Sequence, residues 1–238
     1  MKNLCIIPAR GSSKRIPRKN IKPFMGKPII AYSIEAALES NLFDEVMVST
    51  DDKEFAKVAK QYGASVPFMR SEKTANDYAT LSDVIDEVVQ MYKGNGKEFD
   101  NFCCLLSTAP FVTAIQLCDS YKIFTENHFD SLRPVVRFDF PIQRAFRMAS
   151  DNTVSFMQPE HMNTRSQDLE KAYHDAGLFY WGTCALGFKG SRWGGYEIDE
   201  SVCQDIDTED DWRMAVIKYK LLNNSTFASS ACLVDRRR

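Results

Sequence analysis

Short apolar runs alternate with amphipathic segments along most of the chain, a pattern typical of strands that alternate with helices. The apolar runs predict strands at residues 4–7, 46–49, 65–68, 102–106 and 131–136. Apolar side chains at helical spacing predict helices at residues 51–62, 84–92, 113–124 and 208–222. Such an alternation predicts an α/β fold with a mostly parallel central sheet covered by helices on both faces.

The pattern breaks down from about residue 138 to residue 180, where polar, aromatic and proline residues mix. We expect this segment to be an insertion that leaves the sheet. The sequence therefore predicts one domain over residues 1–225, containing the insertion, and a C-terminal tail at residues 226–238 that ends in three arginines.

The composition argues against a nucleic-acid-binding protein, a disulfide-bonded protein and a membrane protein. The chain has 238 residues, of which 44% are hydrophobic, a formal charge of −2 and a pI near 6.0. This balance gives no basic surface for nucleic acid, so we expect no nucleic-acid partner. Seven cysteines without a C-x-x-C spacing are typical of reduced thiols in a cytoplasmic protein. No apolar run has the length of a signal region or a membrane span, so we expect no membrane partner.

A loop rich in cations follows the first predicted strand directly. It contains Gly11, two serines and five cations, namely Arg10, Lys14, Arg15, Arg18 and Lys19. Gly11 allows a backbone turn that directs N–H groups at anionic oxygens, and the cations would neutralise a polyphosphate. The alternative is an exposed basic loop without function. Neither G-x-G-x-x-G nor G-x-x-x-x-G-K-[ST] is present, which argues against a dinucleotide fold and a P-loop.

Polar residues also follow other predicted strands, at the edge where open α/β sheets bind ligands. Ser49-Thr-Asp-Asp52 is explained equally well as a helix cap and as a nucleotide contact. The segment 105–110, which contains Thr108, either contacts the ligand or forms a structural turn between a strand and a loop.

The insertion carries a polar run at residues 158–168 and a second run at residues 173–182. Arg165 and Gln167 could bind a carboxylate and hydroxyls, as an acidic sugar requires, whereas the alternative is an exposed polar loop. His174 is a candidate for substrate hydrogen bonding, and His161 stays unassigned. No second His or Cys lies at zinc-ligand spacing from either histidine.

Two carboxylates precede the last predicted helix. Asp205 and Asp207 are two residues apart, so on an extended segment both side chains face the same side. Thr208 and Asp211 have the spacing of a capping box, which accounts for the later acidic residues. One hard cation could therefore sit between Asp205 and Asp207.

The cation loop resembles the signature of the sugar-activating cytidylyltransferases, the family of the CMP-sialic acid synthetases. The matching positions are Arg10, Ser13, Lys14, Arg15, Pro17, Lys19 and Asn20. Ser12 replaces the second glycine of the family, which would cost strain if that position had a positive φ. Asp205-Ile-Asp-Thr-Glu209 is similar to the family's metal-binding pattern, whereas Leu106 and Ser107 depart from its Gln-Pro pair. The segments 140–145, 158–169 and 173–177 are similar to the members that use pseudaminic acid.

The resemblance implies a Rossmann-like nucleotidyltransferase fold and a homodimer in which the insertion crosses to the neighbouring subunit. It implies transfer of CMP from CTP to the C2 hydroxyl of pseudaminic acid, with Mg²⁺ as cofactor. The CTP-binding residues that it implies are Ala9, Arg10, Gly11, Ser12, Ser13, Lys14, Arg15, Lys19, Asn20, Thr50 and Asp51. Arg10, Lys14, Lys19 and Asp207 are the expected catalytic residues, and Thr108, Arg165, Gln167 and His174 are expected to bind the sugar.

Two alternatives stay open at this point. The acceptor could be another acidic sugar, such as N-acetylneuraminic, legionaminic or 3-deoxy-octulosonic acid. The chain could also be a nucleotide-binding regulatory protein without turnover. We further expect Lys19 to be an exposed loop cation that contributes little to folding.

Overall fold

The computed structural model describes residues 1–224, so the tail predicted at residues 226–238 lies outside the described part. The strands are β1 (Asn3–Pro8), β2 (Pro23–Phe24), β3 (Lys27–Pro28), β4 (Glu45–Ser49), β5 (Asn101–Leu105), β6 (Ser131–Arg137), β7 (Phe146–Met148), β8 (Val154–Phe156), β9 (Tyr173–Asp175), β10 (Phe179–Thr183) and β11 (Trp193–Ile198). The α-helices are α1 (Ile29–Glu39), α2 (Lys53–Gln61), α3 (Glu72–Ala75), α4 (Leu81–Gly94), α5 (Ala114–Glu126) and α6 (Glu209–Asn223). Short 3-10 helices span Lys19–Ile21, Ile142–Arg144, Pro159–His161, Ser166–Asp168 and Glu200–Val202.

A seven-stranded sheet forms the centre of the molecule, in the order β11-β6-β10-β5-β1-β4, with β9 paired to β6. β1 is parallel to both β4 and β5, and β11 is parallel to β6. Only β9 and β10 run against the other strands. The sheet is therefore mostly parallel, and the predicted fold class is confirmed.

Helices cover both faces of the sheet, which explains why β1 is apolar on both sides. Cys5 and Ile7 pack in one core with side chains of α1, α2 and α5. Leu4 and Ile6 pack in a second core with Ile85 and other residues of α4. The two cores make the three layers that the alternating pattern predicts.

Several elements differ from the prediction. Residues 65–68 form one isolated bridge, between Ser65 and Met47, and no strand; Pro67 lacks the N–H that a longer ladder needs. α1 was not predicted, because it is buried around most of its circumference and lacks an amphipathic period. β10 and β11 were not predicted either.

The predicted insertion leaves the sheet over residues 138–172, a segment that we call the arm. It contains the β7–β8 hairpin. After the arm, β9 (Tyr173–Asp175) rejoins the sheet by pairing with β6. Phe179 and Trp181 of β10 are fully buried in the sheet. The chain therefore returns to the sheet before residue 180.

None of the helices within residues 1–224 combines the length and apolar character needed to cross a bilayer.

Candidate active site

A cavity of about 510 Å³ opens at the carboxyl ends of β1 and β5, where parallel strands collect ligand-binding loops. The loop after β1 forms one wall, and the segments 70–84 and 106–108 contribute others. Asp205 and Asp207 close the remaining side. The lining residues from the predicted site are Arg10, Ser13, Lys14, Arg15, Lys19, Asn20, Thr108, Asp205 and Asp207.

Four of the five loop cations line this cavity, and Arg18 does not. The Arg18 guanidinium donates to Glu54 at 2.6 Å, lies 3.6 Å from Asp52 and stacks 5.0 Å from the centroid of the Phe55 ring. Arg18 therefore links the loop to α2 instead of facing the cavity.

Gly11 is needed for space and not for its φ, which is outside the left-handed region. A Cβ on Gly11 would lie 3.0 Å from Asp52 Cβ. The Gly11 N–H donates to Asp51 Oδ1 at 2.8 Å, so this donor is directed at a carboxylate. Ser12 also lies outside the left-handed region, so the serine carries no such strain.

Two hydrogen bonds of the Asn20 side chain hold the loop against the sheet. The Asn20 amide donates to the carbonyl of Arg10 at 3.0 Å, and Ser107 Oγ donates to Asn20 Oδ1 at 3.0 Å. Ser107, which departs from the family pattern, thereby ties the cation loop to the end of β5. Leu106 lines the cavity, and its carbonyl accepts from Ser33 Oγ at 2.8 Å.

The cation loop and the carboxylate pair meet across the cavity. Arg15 lies 3.0 Å from Asp207 Oδ2, and Lys19 Nζ lies 3.5 Å from Asp207 Oδ1. Lys19 Nζ also donates to the carbonyl of Ile206. The Lys19 side chain is only 18% exposed, so the expectation of an exposed loop cation is wrong.

Asp205 lies in different surroundings from Asp207. Loss of hydration raises the pKa of the Asp205 carboxyl, the charge of Asp207 raises it further, and Lys19 opposes both. Gly177 lies against this carboxylate, since a Cβ there would be 3.2 Å from Asp205 Cγ, and its φ is +64°. The position therefore favours glycine for both space and backbone conformation.

The two carboxylates fit a hard cation. Among the described residues, the Asp205 carboxylate accepts no hydrogen bond from a side chain, and its ionised form is disfavoured beside Asp207. A divalent ion would relieve this repulsion. Within residues 1–224 no three potential His, Cys, Asp or Glu ligands cluster. Mg²⁺ binds through one or two carboxylates together with substrate phosphates, so two aspartates suffice.

Thr50 and Asp51 lie behind the loop and outside the cavity lining. Thr50 is fully buried, and its Oγ1 accepts from the N–H of Asp52 at 3.1 Å. Asp52 caps α2 by accepting from the N–H groups of Glu54 and Phe55. Ala9 is also fully buried, and Ser12 lies outside the lining.

The predicted sugar-binding residues of the two polar runs, 158–168 and 173–182, lie away from this cavity. Arg165 and Gln167 are exposed on the arm, and Arg165 Nε donates to Asp168 at 2.8 Å. His174 is exposed on β9, where its ring packs 4.9 Å from the ring of Phe138. Within this subunit the structure does not bring the three residues together with Thr108.

Arg70 lines the cavity and was not predicted. It is 8% exposed and donates from Nε to Ser49 Oγ at 3.0 Å and from Nη2 to the Ser49 carbonyl at 2.7 Å. Burial lowers the pKa of its guanidinium. The sequence contained a signal for Arg70, because this cation lies two residues after the apolar segment 65–68, and that segment pairs with β4 through Ser65 and Met47.

The chain matches known proteins over most of its length. The family model described as Cytidylyltransferase matches residues 4–186. The chain is 44% identical over 232 residues to the pseudaminic acid cytidylyltransferase of Campylobacter jejuni, covering 95% of this chain and 100% of that protein. It is 34% identical to the N-acylneuraminate cytidylyltransferase of Oncorhynchus mykiss, covering 88% of this chain and 48% of that protein.

A solved structure of CMP:2-keto-3-deoxy-manno-octonic acid synthetase complexed with CTP shares the fold. Its TM-score is 0.67 at 17% identity, with 91% of this chain and 98% of that chain covered. The 4-diphosphocytidyl-2C-methyl-D-erythritol synthase of Anaerococcus prevotii gives a TM-score of 0.61 at 13% identity, with 92% and 98% covered. Both similarities support the predicted fold. The family match and the level of identity establish that the chain belongs to the cytidylyltransferase family.

Proposed function

We propose that this protein transfers CMP from CTP to the anomeric C2 hydroxyl of pseudaminic acid and releases pyrophosphate. One structural observation carries the proposal, namely that a cavity places four loop cations opposite a pair of carboxylates. The cations suit a triphosphate, and the carboxylates suit its metal ion. The acceptor follows from the 44% identity to a protein named for pseudaminic acid.

In this proposal Arg10, Lys14 and Lys19 neutralise the triphosphate and stabilise the charge that develops on the leaving pyrophosphate. Asp205 and Asp207 would hold Mg²⁺, which supplies positive charge to the α-phosphate. The C2 hydroxyl oxygen attacks the α-phosphorus in line, its proton is lost to solvent, and the bond to the bridging oxygen of the pyrophosphate breaks. Lys19 is held by the Ile206 carbonyl, so its charge is already in place when phosphate binds.

The sugar would be held by Thr108 within the subunit and by Arg165, Gln167 and His174 of a second subunit. We propose a homodimer in which the arm crosses to the neighbouring cavity. The arm exposes many large apolar side chains, which a partner would cover, including Phe140, Phe146, Met148, Val154 and Met157. Each side chain is at least half exposed in the single subunit.

We place the reaction in the cytoplasm. The six cysteines within residues 1–224 are free thiols, and four of them are buried in the core. Reduced buried cysteines suit a reducing compartment.

Incubation of the protein with CTP, Mg²⁺ and pseudaminic acid tests the proposal, with CMP-pseudaminic acid detected by mass spectrometry. A pyrophosphate-release assay with N-acetylneuraminic, legionaminic and 3-deoxy-octulosonic acids ranks the acceptors. A clear preference for one of these would replace the proposed sugar and leave the cytidylyl transfer intact. CTP binding without turnover of any acceptor would favour the regulatory alternative.

A further inference from the structure

Two of the cavity cations bind one carboxylate of the same chain, that of Asp77. Asp77 Oδ1 lies 2.9 Å from Arg10 Nη1, and Asp77 Oδ2 lies 2.5 Å from Lys14 Nζ. Both oxygens are used, and Asp77 lines the cavity with the two cations. Within residues 1–224, Lys14 has no other ion pair, and its side chain is 76% exposed.

The loop that carries Asp77 is held by hydrogen bonds of its own and by one from Arg10, whose Nη1 donates to the Asn76 carbonyl at 3.3 Å. Asn76 Oδ1 accepts from the N–H groups of Tyr78 at 2.8 Å and Ala79 at 3.1 Å, and Asn76 Nδ2 donates to the Lys73 carbonyl at 2.6 Å. These contacts do not involve the Asp77 carboxylate. The loop therefore presents Asp77 to the cavity without depending on the two ion pairs.

A carboxylate bound to an arginine and a lysine takes the place that a phosphate group would take. Both anions accept hydrogen bonds from the same donors. A polyphosphate that binds Arg10 and Lys14 must displace Asp77 or lie beside its negative charge. Either event costs binding free energy.

We propose that Asp77 competes with polyphosphate for Arg10 and Lys14, and that this competition speeds the release of pyrophosphate. The inference rests on the proposed function of the cavity. CTP also offers a base and a ribose to the cavity, whereas pyrophosphate offers only its phosphate groups. The same penalty therefore leaves CTP bound but weakens retention of the product.

The competing explanation is that Asp77 only orders the two cations for phosphate binding. The two explanations predict opposite signs. Removal of an ordering carboxylate would weaken pyrophosphate binding, whereas removal of a competitor strengthens it. Pairs this exposed are individually weak, so the change should be several-fold.

The test is the dissociation constant of inorganic pyrophosphate, measured by calorimetry with Mg²⁺ for the full chain and three variants. Asp77→Asn removes the charge and should bind pyrophosphate about 3–10 times more tightly. Asp77→Glu keeps the charge and should stay within about twofold of the unmodified protein. Asp86→Asn is the matched control, because it removes an exposed pair with Lys189 (3.2 Å) outside the cavity. Asp86→Asn should leave the dissociation constant of pyrophosphate unchanged.

Steady-state kinetics give a second readout. Asp77→Asn should show stronger product inhibition by pyrophosphate and a lower kcat, with the KM for CTP reduced. Unchanged or weaker pyrophosphate binding in Asp77→Asn would overturn the inference, even when the unmodified protein makes the CMP-sugar. If the unmodified protein binds pyrophosphate but makes no CMP-sugar, the proposed function fails and the competition is still decided by the variants. If it binds neither CTP nor pyrophosphate, both proposals fail.

Discussion

Asp205 and Asp207 are separated by one residue, yet their charges are compensated very differently. Asp207 lies within 3.5 Å of Lys19 and 3.0 Å of Arg15. Asp205 has neither partner at that range, and the pKa of its carboxyl is raised by loss of hydration and by Asp207. Ionisation of the Asp205 carboxyl therefore disfavours the folded state.

Asp205→Asn should stabilise the protein in chelator and abolish most turnover. A carboxyl with a raised pKa binds more protons folded than unfolded, so its contribution to stability falls as pH rises from the ordinary Asp range through the raised pKa. Asparagine removes this cost, and we expect a melting temperature about 1–3 °C higher at pH 7. The gain should vanish at pH values below the ordinary Asp pKa. A lower melting temperature at pH 7 would contradict the assignment.

Lys19→Ala should lower both turnover and stability. Its Nζ donates to the Ile206 carbonyl from a largely buried side chain, so we expect a loss of about 1–2 kcal/mol in the free energy of unfolding. Lys14→Ala serves as the comparison, because its exposed side chain should contribute less than about 0.5 kcal/mol. Urea denaturation measures the free energy of unfolding of both variants. Equal stabilities of the two variants would show that the Lys19 contact contributes nothing to folding.

At the N-terminus of α6, a helix cap lies next to the proposed metal ligand Asp207. Thr208 and Asp211 form the predicted capping box, with Thr208 Oγ1 accepting from the Asp211 N–H at 3.2 Å. The Asp211 carboxylate also accepts from the N–H of Asp207 at 3.0 Å. The helix cap therefore fixes the backbone that carries the proposed metal ligand.

Variants at this helix end should split into two classes. Asp207→Asn should remove most turnover and raise the Mg²⁺ concentration needed for the remainder about tenfold, since it removes one carboxylate charge. Thr208→Ala should cost about 1 kcal/mol of stability and leave the Mg²⁺ requirement alone. Mg²⁺ titrations of activity and thermal melts distinguish the classes. An unchanged requirement in Asp207→Asn, or activity in excess chelator, would refute the metal site.

On the scale of the whole molecule, the cavity and the arm are separate in one subunit. The cavity contains the cations and the carboxylates, whereas Arg165 and Gln167 lie exposed on the arm. The proposed dimer joins them, so that each site would use two chains.

Arg165→Ala should raise the KM for the sugar acid about 10- to 100-fold with little effect on CTP, since a hydrogen bond to a charged group contributes about 1.5–3 kcal/mol. Mixing Arg165→Ala with Asp207→Asn gives a sharper test. If the arm acts on the neighbouring subunit, re-dimerised mixtures should recover about a quarter of the unmodified activity, because half of the dimers then contain one intact site. No recovery after verified exchange would place the arm in its own subunit's site or outside the reaction.

The sequence by itself determined the features whose cause is local. Residues 4–7 of β1 are a continuous apolar run, and α4 carries buried apolar side chains at helical spacing. The cation loop follows β1 directly, and the Thr208–Asp211 cap depends on a spacing of three residues. Each of these follows from periodicity or from side chains within a few positions of one another.

Only the tertiary structure decided the features that depend on distant parts of the chain. β10 lies between β5 and β6 through partners far away in sequence, and α1 is hidden by burial around most of its surface. Arg18 and Lys19 are adjacent and equally charged, but one binds α2 and the other faces Asp207. Arg70 and Asp77 belong to the cavity because their segment folds over it. Charge and periodicity are properties of neighbouring residues, whereas the contacts of a side chain are set by the packing of the whole domain.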